Sequence, residues 1–297
     1  MTTAIYRHHD RASLEREYDN RAKVSAAALQ RYRERWSAGS QEARETRQVR
    51  LDVAYGPSPL ETLDIFGDPS ASPRPVHVYI HGGYWHFGDK TDCAYVALAL
   101  DQDAATTVVL NYGLAPQVPL DGQVSHCRAA LRWVWNNIDD LGGDRSRLYL
   151  TGHSAGAHLA AMMLATDWRM VDATMPAQIV RGASLLSGIY DLEPVRLVSV
   201  NDQLRLSEDD ARRLSPIHLP CQGDPALLVA VGELEGDEYI RQSRTLADAW
   251  RGAHPGIEFS IVPKGDHFSI RSGWEEGGNW FASVLRRAID GRSPFHA

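Results

Sequence analysis

The chain has 297 residues, of which 43% are hydrophobic and 23% charged, and its formal net charge is -7. That composition suits a soluble globular protein with one large α/β core, although the length alone also permits two domains. An acidic balance with no long basic run excludes a nucleic-acid footprint. The start, Met1-Thr-Thr-Ala-Ile-Tyr-Arg-His-His-Asp10, has no apolar h-region, and no apolar run reaches the ~20 residues of a membrane span. Cys93, Cys127 and Cys221 are odd in number and far apart, which reads as reduced thiols in a cytoplasmic protein.

Residues 1–48 are rich in Arg and Glu, and helices are expected over Leu14–Ala28 and Leu29–Trp36. Their apolar content is too low for a separate domain, so this segment reads as a helical arm or part of a lid on the main body, residues 49–297. Val49–Ala54 and Thr62–Phe66 alternate in polarity about Gly56-Pro-Ser-Pro59, the pattern of an antiparallel pair. From Val76 onward strands and helices alternate. Strands are expected at Val76–Ile80, Thr106–Asn111, Leu148–Thr151, Val180–Leu186, Ala226–Val231 and Ile257–Val262. Helices are expected at Thr91–Asp101, Gly122–Ile138, Ala155–Ala165, Glu238–Arg251 and Trp274–Ile289. This order predicts a mainly parallel sheet of about eight strands with helices on both faces. The stretch from about 190 to 220 is long for a connection and reads as an irregular, cap-like insertion over the site. Gly142-Gly-Asp144 reads as a turn and Trp133 and Trp135 as packing residues.

The chemistry concentrates in three places. Gly152-His-Ser-Ala-Gly156 follows an apolar strand and opens an Ala-rich helix, the setting of a nucleophile elbow with Ser154 at its apex. The turn leaves no room for side chains at the two glycines. His81-Gly-Gly-Tyr-Trp85 follows strand Val76–Ile80 at the place where an HGG-type loop gives backbone N–H groups to an oxyanion. Gly82, Gly83 and Tyr84, with Ala155 at the helix start, are the expected donors. His81 is expected to shape that loop. A serine nucleophile needs a base, and chain order places it past the last strand, at His267 in Pro263-Lys-Gly-Asp-His-Phe268; His254 precedes that strand.

The acid should follow Ala226–Val231, where Glu233, Glu235 and Asp237 are all candidates; Asp191, one strand earlier, is the runner-up. Tyr84 and Trp85 are open between two roles, pocket lining and core anchoring. His153 is a further pocket candidate. His153 and His158 lack a third ligand at useful spacing, so no metal is expected, and no motif asks for a cofactor.

Together these motifs resemble the α/β-hydrolase superfamily from Val49 onward. Within it the chain is similar to the kynurenine formamidase (arylformamidase) branch and its bacterial esterase relatives. Glu17-Tyr-Asp-Asn-Arg21, the His81 and Gly152 motifs, Gly188-Ile-Tyr-Asp-Leu-Glu193 and Glu238-Tyr-Ile-Arg-Gln-Ser243 carry the narrower likeness. The resemblance implies an α/β-hydrolase fold and a catalytic set of Ser154, Glu235 and His267. Two departures stand out: Tyr84 replaces the third glycine of an HGGG loop, and Glu235 stands where the formamidases carry aspartate. The implied activity is removal of a small acyl group from an aryl formamide such as N-formylkynurenine. The alternatives are a carboxylesterase for short acyl esters and a binding protein on the same scaffold, the latter disfavoured because all three catalytic residue types are present in order. The expected partner is a small ester or amide, with no nucleic acid or membrane, and the arm is read as either a pocket cover or a homodimer contact.

Overall fold

The computed structural model describes residues 3–70, 72–100 and 104–271, with Arg286 and Ile289. Eight strands form one sheet among the described residues: β1 (Val49–Ala54), β2 (Thr62–Phe66), β3 (Arg74–Ile80), β4 (Thr106–Leu110), β5 (Gly143–His153), β6 (Val180–Leu186), β7 (Ala226–Gly232) and β8 (Glu258–Val262). Their order is β1-β2-β4-β3-β5-β6-β7-β8; β1/β2 and β2/β4 pair antiparallel and the rest parallel. The chain therefore has the α/β-hydrolase fold. Central strands read as apolar runs because both faces are covered. Alternation then divides each strand between two cores. Val76, Val78 and Ile80 of β3 share one core with Leu131 and Leu159, from helices α3 (Leu120–Asn137) and α4 (Ala155–Leu164). Tyr79 faces the other way, into a cluster with Trp36, Ala43 and Tyr95.

That second face is where the expected elements change most. The helix expected over Leu14–Ala28 is interrupted, giving α1 (Arg11–Tyr18) and a long α2 (Ala26–Thr46) that absorbs Leu29–Trp36. The break has a polar cause. Asp19 accepts the Ala22 N–H at 3.1 Å, Lys23 turns inward to the carbonyls of Glu17 and Glu235, and Ser25 caps α2 through the Ala28 N–H. The helix expected at Thr91–Asp101 is a 3-10 segment, Lys90–Leu98, whose Lys90 ammonium is drawn inside by the buried Asp64. The stretch near 190–220 is ordered into α5 (Glu193–Arg196), α6 (Asn201–Leu204) and α7 (Glu208–Arg213), anchored by buried Val195, Leu204 and Ala211. Asn201, through its side-chain amide, ties the loop at Leu206. Helix α8 (Asp237–Arg251) packs between β7 and the arm; the helix expected over Trp274–Ile289 lies outside the described residues, apart from Arg286 and Ile289. Among the described residues no helix is long and apolar enough to cross a membrane. Cys93, Cys127 and Cys221 are free and buried.

Two buried histidines make the fold sensitive to acid. His77, beside the Thr151 hydroxyl at 3.0 Å, is pushed down to about 3 by burial. His158 is pushed down to about 4 for the same reason, and its ring bridges the Trp85 indole and the Leu214 carbonyl. Both stay neutral in the native protein while the unfolded chain protonates near pH 6.5, so stability is unaffected above that pH and falls as pH drops below it. Each histidine should cost about 2 kcal/mol between pH 7.5 and pH 5. Urea midpoints at the two pH values test this: His158→Gln should shrink the difference, and a pH-independent midpoint would contradict it.

Candidate active site

Strand β5 runs straight into α4 through Ser154, whose φ of 57° and ψ of -123° no extended or helical residue shares. The glycines make that turn feasible. A Cβ on Gly152 would strike the Gly156 carbonyl, and one on Gly156 would strike the Ile80 carbonyl. Beyond β8, Asp266 accepts the N–H groups of Phe268 and Ser269 at 2.8 Å each, folding the loop that presents His267. Its Nε2 lies 3.1 Å from Ser154 Oγ and its Nδ1 2.6 Å from Glu235 Oε2. The carboxylate fixes the Nδ1–H tautomer, leaving Nε2 to accept the serine proton.

Glu235 has no exposed surface. Its Oε1 accepts the Gly232 N–H at 2.6 Å and the hydroxyl of Ser187. Ser187 had no sequence signal beyond its place at the end of β6. The other acids go elsewhere: Glu233 accepts the Lys264 N–H at 2.9 Å, Asp237 opens α8, and Asp191 takes the Tyr6 hydroxyl at 2.9 Å and pairs with Arg241 at 3.3 Å. His254 bonds the Cys221 carbonyl at 3.2 Å. His153 donates through Nε2 to the His267 carbonyl at 2.7 Å, and burial holds it well below the ordinary imidazole range, so it braces the loop as a neutral donor.

Gly83, Tyr84 and Trp85 all have positive φ, at 122°, 46° and 61°. His81 bonds the Gly82 carbonyl at 2.8 Å and Asn111 at 3.1 Å, while the Gly83 carbonyl accepts from His86 and Phe87 at 3.0 Å each. In a trans peptide the N–H points opposite the C=O, so these bonds turn the Gly83 and Tyr84 N–H groups away from the loop's interior. The Ala155 N–H, at the first turn of α4, has no partner within the helix. Gly82 has no room for a side chain: a Cβ there would sit 2.7 Å from the His153 carbonyl and 3.1 Å from the Ser154 Cβ. Trp85 does not reach the cavity. It is fully buried, its indole N–H donates to His158 at 3.2 Å, and its carbonyl accepts from Ala115 and Gln123, so of its two possible roles it takes that of a core anchor.

A cavity of about 710 Å³ opens above Ser154 and His267 and includes Gly82, Gly83, Tyr84 and His153 in its wall. Among the described residues its remaining wall is shared by the arm, including Tyr18, Asn20 and Trp36, and by residues of the 86–93 stretch with Phe268 and Arg271, and not by the insertion near 190–220, which was expected to cover the site. The arm is bonded into the machinery. Asn20 donates to Tyr239 at 2.8 Å, the Tyr84 and Tyr239 hydroxyls are 2.8 Å apart, and Tyr84 donates to the Tyr18 carbonyl. Tyr239 in turn lies edge-on to His267, with ring centroids 5.0 Å apart.

A serine on a strained elbow, a carboxylate-oriented imidazole and a glycine loop with outward N–H groups, on this sheet, define a serine hydrolase of the α/β-hydrolase fold. A BD-FAE family model matches residues 63–179. The kynurenine formamidase of Danio rerio is 38% identical over 239 residues, 78% of this chain and 79% of that protein. That of Salmo salar is 36% identical over 240 residues with the same coverage. A crystal structure of a Silicibacter protein superposes with a TM-score of 0.77 at 25% identity, covering 93% of this chain and 98% of that one. The chain belongs to the kynurenine formamidase branch of the α/β hydrolases.

Tyr239→Phe removes the hydroxyl that Asn20 and Tyr84 share. It should lower stability by ~1–3 kcal/mol and reduce kcat more than it changes KM, since the loop beside the serine keeps its tie to the Tyr18 carbonyl but loses the one to Tyr239. Urea unfolding and steady-state kinetics on an activated ester would reveal both; an unaltered kcat would mean the network is structural only.

Proposed function

We propose that the protein is an arylformamidase that cleaves N-formylkynurenine or a related aryl formamide through a formyl-serine intermediate. The observation that carries this reading is the continuous hydrogen-bonded relay Ser154–His267–Glu235 at the floor of an arm-covered cavity, in a chain of the kynurenine formamidase branch. Ser154 Oγ attacks the formyl carbon as His267 Nε2 takes its proton, and the imidazolium is stabilised by Glu235, which itself stays ionised. The tetrahedral oxyanion is held by N–H groups of the Gly82-Gly83-Tyr84 stretch and of Ala155. One such donor is worth ~3–4 kcal/mol in the transition state. His267 then protonates the departing aryl nitrogen and the C–N bond breaks. Water, deprotonated by the same imidazole, attacks the formyl-serine and releases formate. An anilide nitrogen leaves poorly unless protonated, so the short His267–Glu235 contact matters more here than for an activated ester.

The size of the cavity supports a second reading, a carboxylesterase for short acyl esters, because about 710 Å³ exceeds what a formyl group alone requires. Steady-state rates on N-formylkynurenine beside p-nitrophenyl esters of increasing acyl length separate the two. The formamidase should favour the formyl substrate; a preference of roughly several hundredfold for butyryl over formyl, about 3 kcal/mol or more in transition-state binding, would overturn it.

Ser154→Ala should cut kcat by at least ~10³-fold, and a variant keeping a tenth of the wild-type rate would remove Ser154 from this role. Glu235→Gln should cost ~10²-fold or more, whereas Glu233→Gln and Asp191→Asn should stay within a few-fold. The reverse ranking would move the acid.

A further inference from the structure

The loop that carries the triad acid is held from two sides. Glu233–Glu235 form a 3-10 turn after β7, and Gly236, with a φ of 95°, turns the chain into α8. On one side the Leu234 N–H donates to the Gly265 carbonyl at 2.9 Å, which ties the turn to the loop of His267. On the other side the partners come from the arm. The Lys23 ammonium, 212 positions away in sequence, donates to the carbonyl of Glu235 and also to that of Glu17. The Glu17 carboxylate accepts the Glu238 N–H at 3.1 Å, in the first turn of α8, whose own N-cap Gly236 offers no side-chain cap. The two arm residues thereby enclose Gly236: a Cβ there would lie 2.9 Å from Glu17 Oε2 and 3.1 Å from Lys23 Nζ. A carbonyl at the end of a helical turn has no partner within the turn, and bulk water does not reach Glu235. Burial lowers the Lys23 pKa from the ordinary lysine value, and the carboxylates of Glu17, Glu235 and Asp19 oppose that shift. A lysine on a flexible stem gives up hydration by turning inward, and what it gains is the carbonyl of the triad acid.

We propose that Lys23 is a positioning residue for the triad: by fixing the main chain of Glu235 it sets the carboxylate against His267, so that the arm belongs to the catalytic assembly as well as to the cavity wall. The proposal rests on the Ser154–His267–Glu235 relay and not on which acyl group the serine takes. A glutamate needs such a hold more than an aspartate does, because its carboxylate stands one rotatable bond further from the backbone. Here one oxygen must fold back to the Gly232 N–H at 2.6 Å while the other meets His267 Nδ1 at 2.6 Å. Both contacts suffer if the Glu235 main chain drifts, since a site of this kind tolerates only roughly 0.5 Å of misplacement. Lys23 is not among the described residues that line the cavity, so it does not meet the substrate there. Its ammonium also lies 5.6 Å from the centroid of the Tyr239 ring, which is edge-on to His267, a second route to the imidazole that would not depend on Glu235.

A double-mutant cycle on the full chain separates the two routes, read as the rate at which diethyl p-nitrophenyl phosphate phosphorylates Ser154 and releases p-nitrophenolate. This reaction uses the relay but no acyl group. Lys23→Met should slow it about 10-fold in the otherwise wild-type chain and no more than about twofold in the Glu235→Ala background, because the tether cannot matter once the carboxylate it positions is gone. On p-nitrophenyl acetate the loss should fall on kcat, with KM within about threefold, since the cavity wall is untouched. Lys23→Gln, which keeps one shorter donor, should lose about threefold with the same dependence on Glu235, and it decides the matter if the methionine variant does not fold. Equal fold-losses in the two backgrounds, or a Lys23→Met rate within about twofold of wild type, would overturn the proposal. Glu235→Ala at the wild-type rate would instead sink the relay itself, and with it any positioning role for Lys23. Turnover of an aryl formamide plays no part in this readout, so its absence would count against the formamidase reading alone.

Discussion

A carboxylate without exposed surface, bonded to an imidazole, is the constraint on which this site depends. Taking Glu235 out of water is affordable only because both of its oxygens are occupied, by the Gly232 N–H, the Ser187 hydroxyl and His267 Nδ1. Those donors come from β6, β7 and the loop after β8, so the parallel sheet must place three strand ends side by side before the hydrogen bond to His267 can form. Gly232 shows how tight the assembly is: a Cβ there would press on the Gly265 carbonyl, the backbone that brings His267 within reach. The extra methylene of glutamate over the aspartate expected in the branch is taken up by folding the side chain back onto its own strand end at Gly232.

The second constraint is conformational strain in the loop beside the nucleophile. Three successive residues with positive φ cost on the order of 1–3 kcal/mol each where a side chain is present. Two anchors offset that cost from opposite sides. Trp85 is sunk in the core against His158, and Tyr84 is tied by its hydroxyl to Tyr18 and Tyr239. The arm is thereby more than a cover, since the segment between α1 and α2 shapes the loop and, through Lys23, also bonds the Glu235 carbonyl. Strain in the Gly82–Trp85 loop and order in the arm are two sides of one arrangement.

Much of this was legible in the residues. The order strand, Gly152-His-Ser-Ala-Gly156, helix can be read locally because a sharp elbow tolerates nothing but glycine at its flanks. Parallel strands such as Val76–Ile80 declare themselves as apolar runs since both faces are buried. Less legible were elements whose form depends on distant partners. The interruption of the arm at Asp19 needs the Glu235 carbonyl to receive Lys23, and the 3-10 form of Lys90–Leu98 accompanies the pull of Asp64 on Lys90. The short helices near 190–220 are too short to show periodicity, so they read as irregular. Tyr84 and Trp85 were indistinguishable as neighbouring aromatics, because which of them faces a cavity is decided by backbone dihedrals that composition does not encode.

The amino-acid order alone determined the fold class and singled out Ser154 and His267, which the fold brings to 3.1 Å, because strand periodicity and glycine punctuation are short-range properties of the chain. Which of several clustered acids meets the imidazole and what roofs the cavity were decided by tertiary structure. These are matters of direction across tens of residues, set by how strand ends and the arm pack together and where water is excluded.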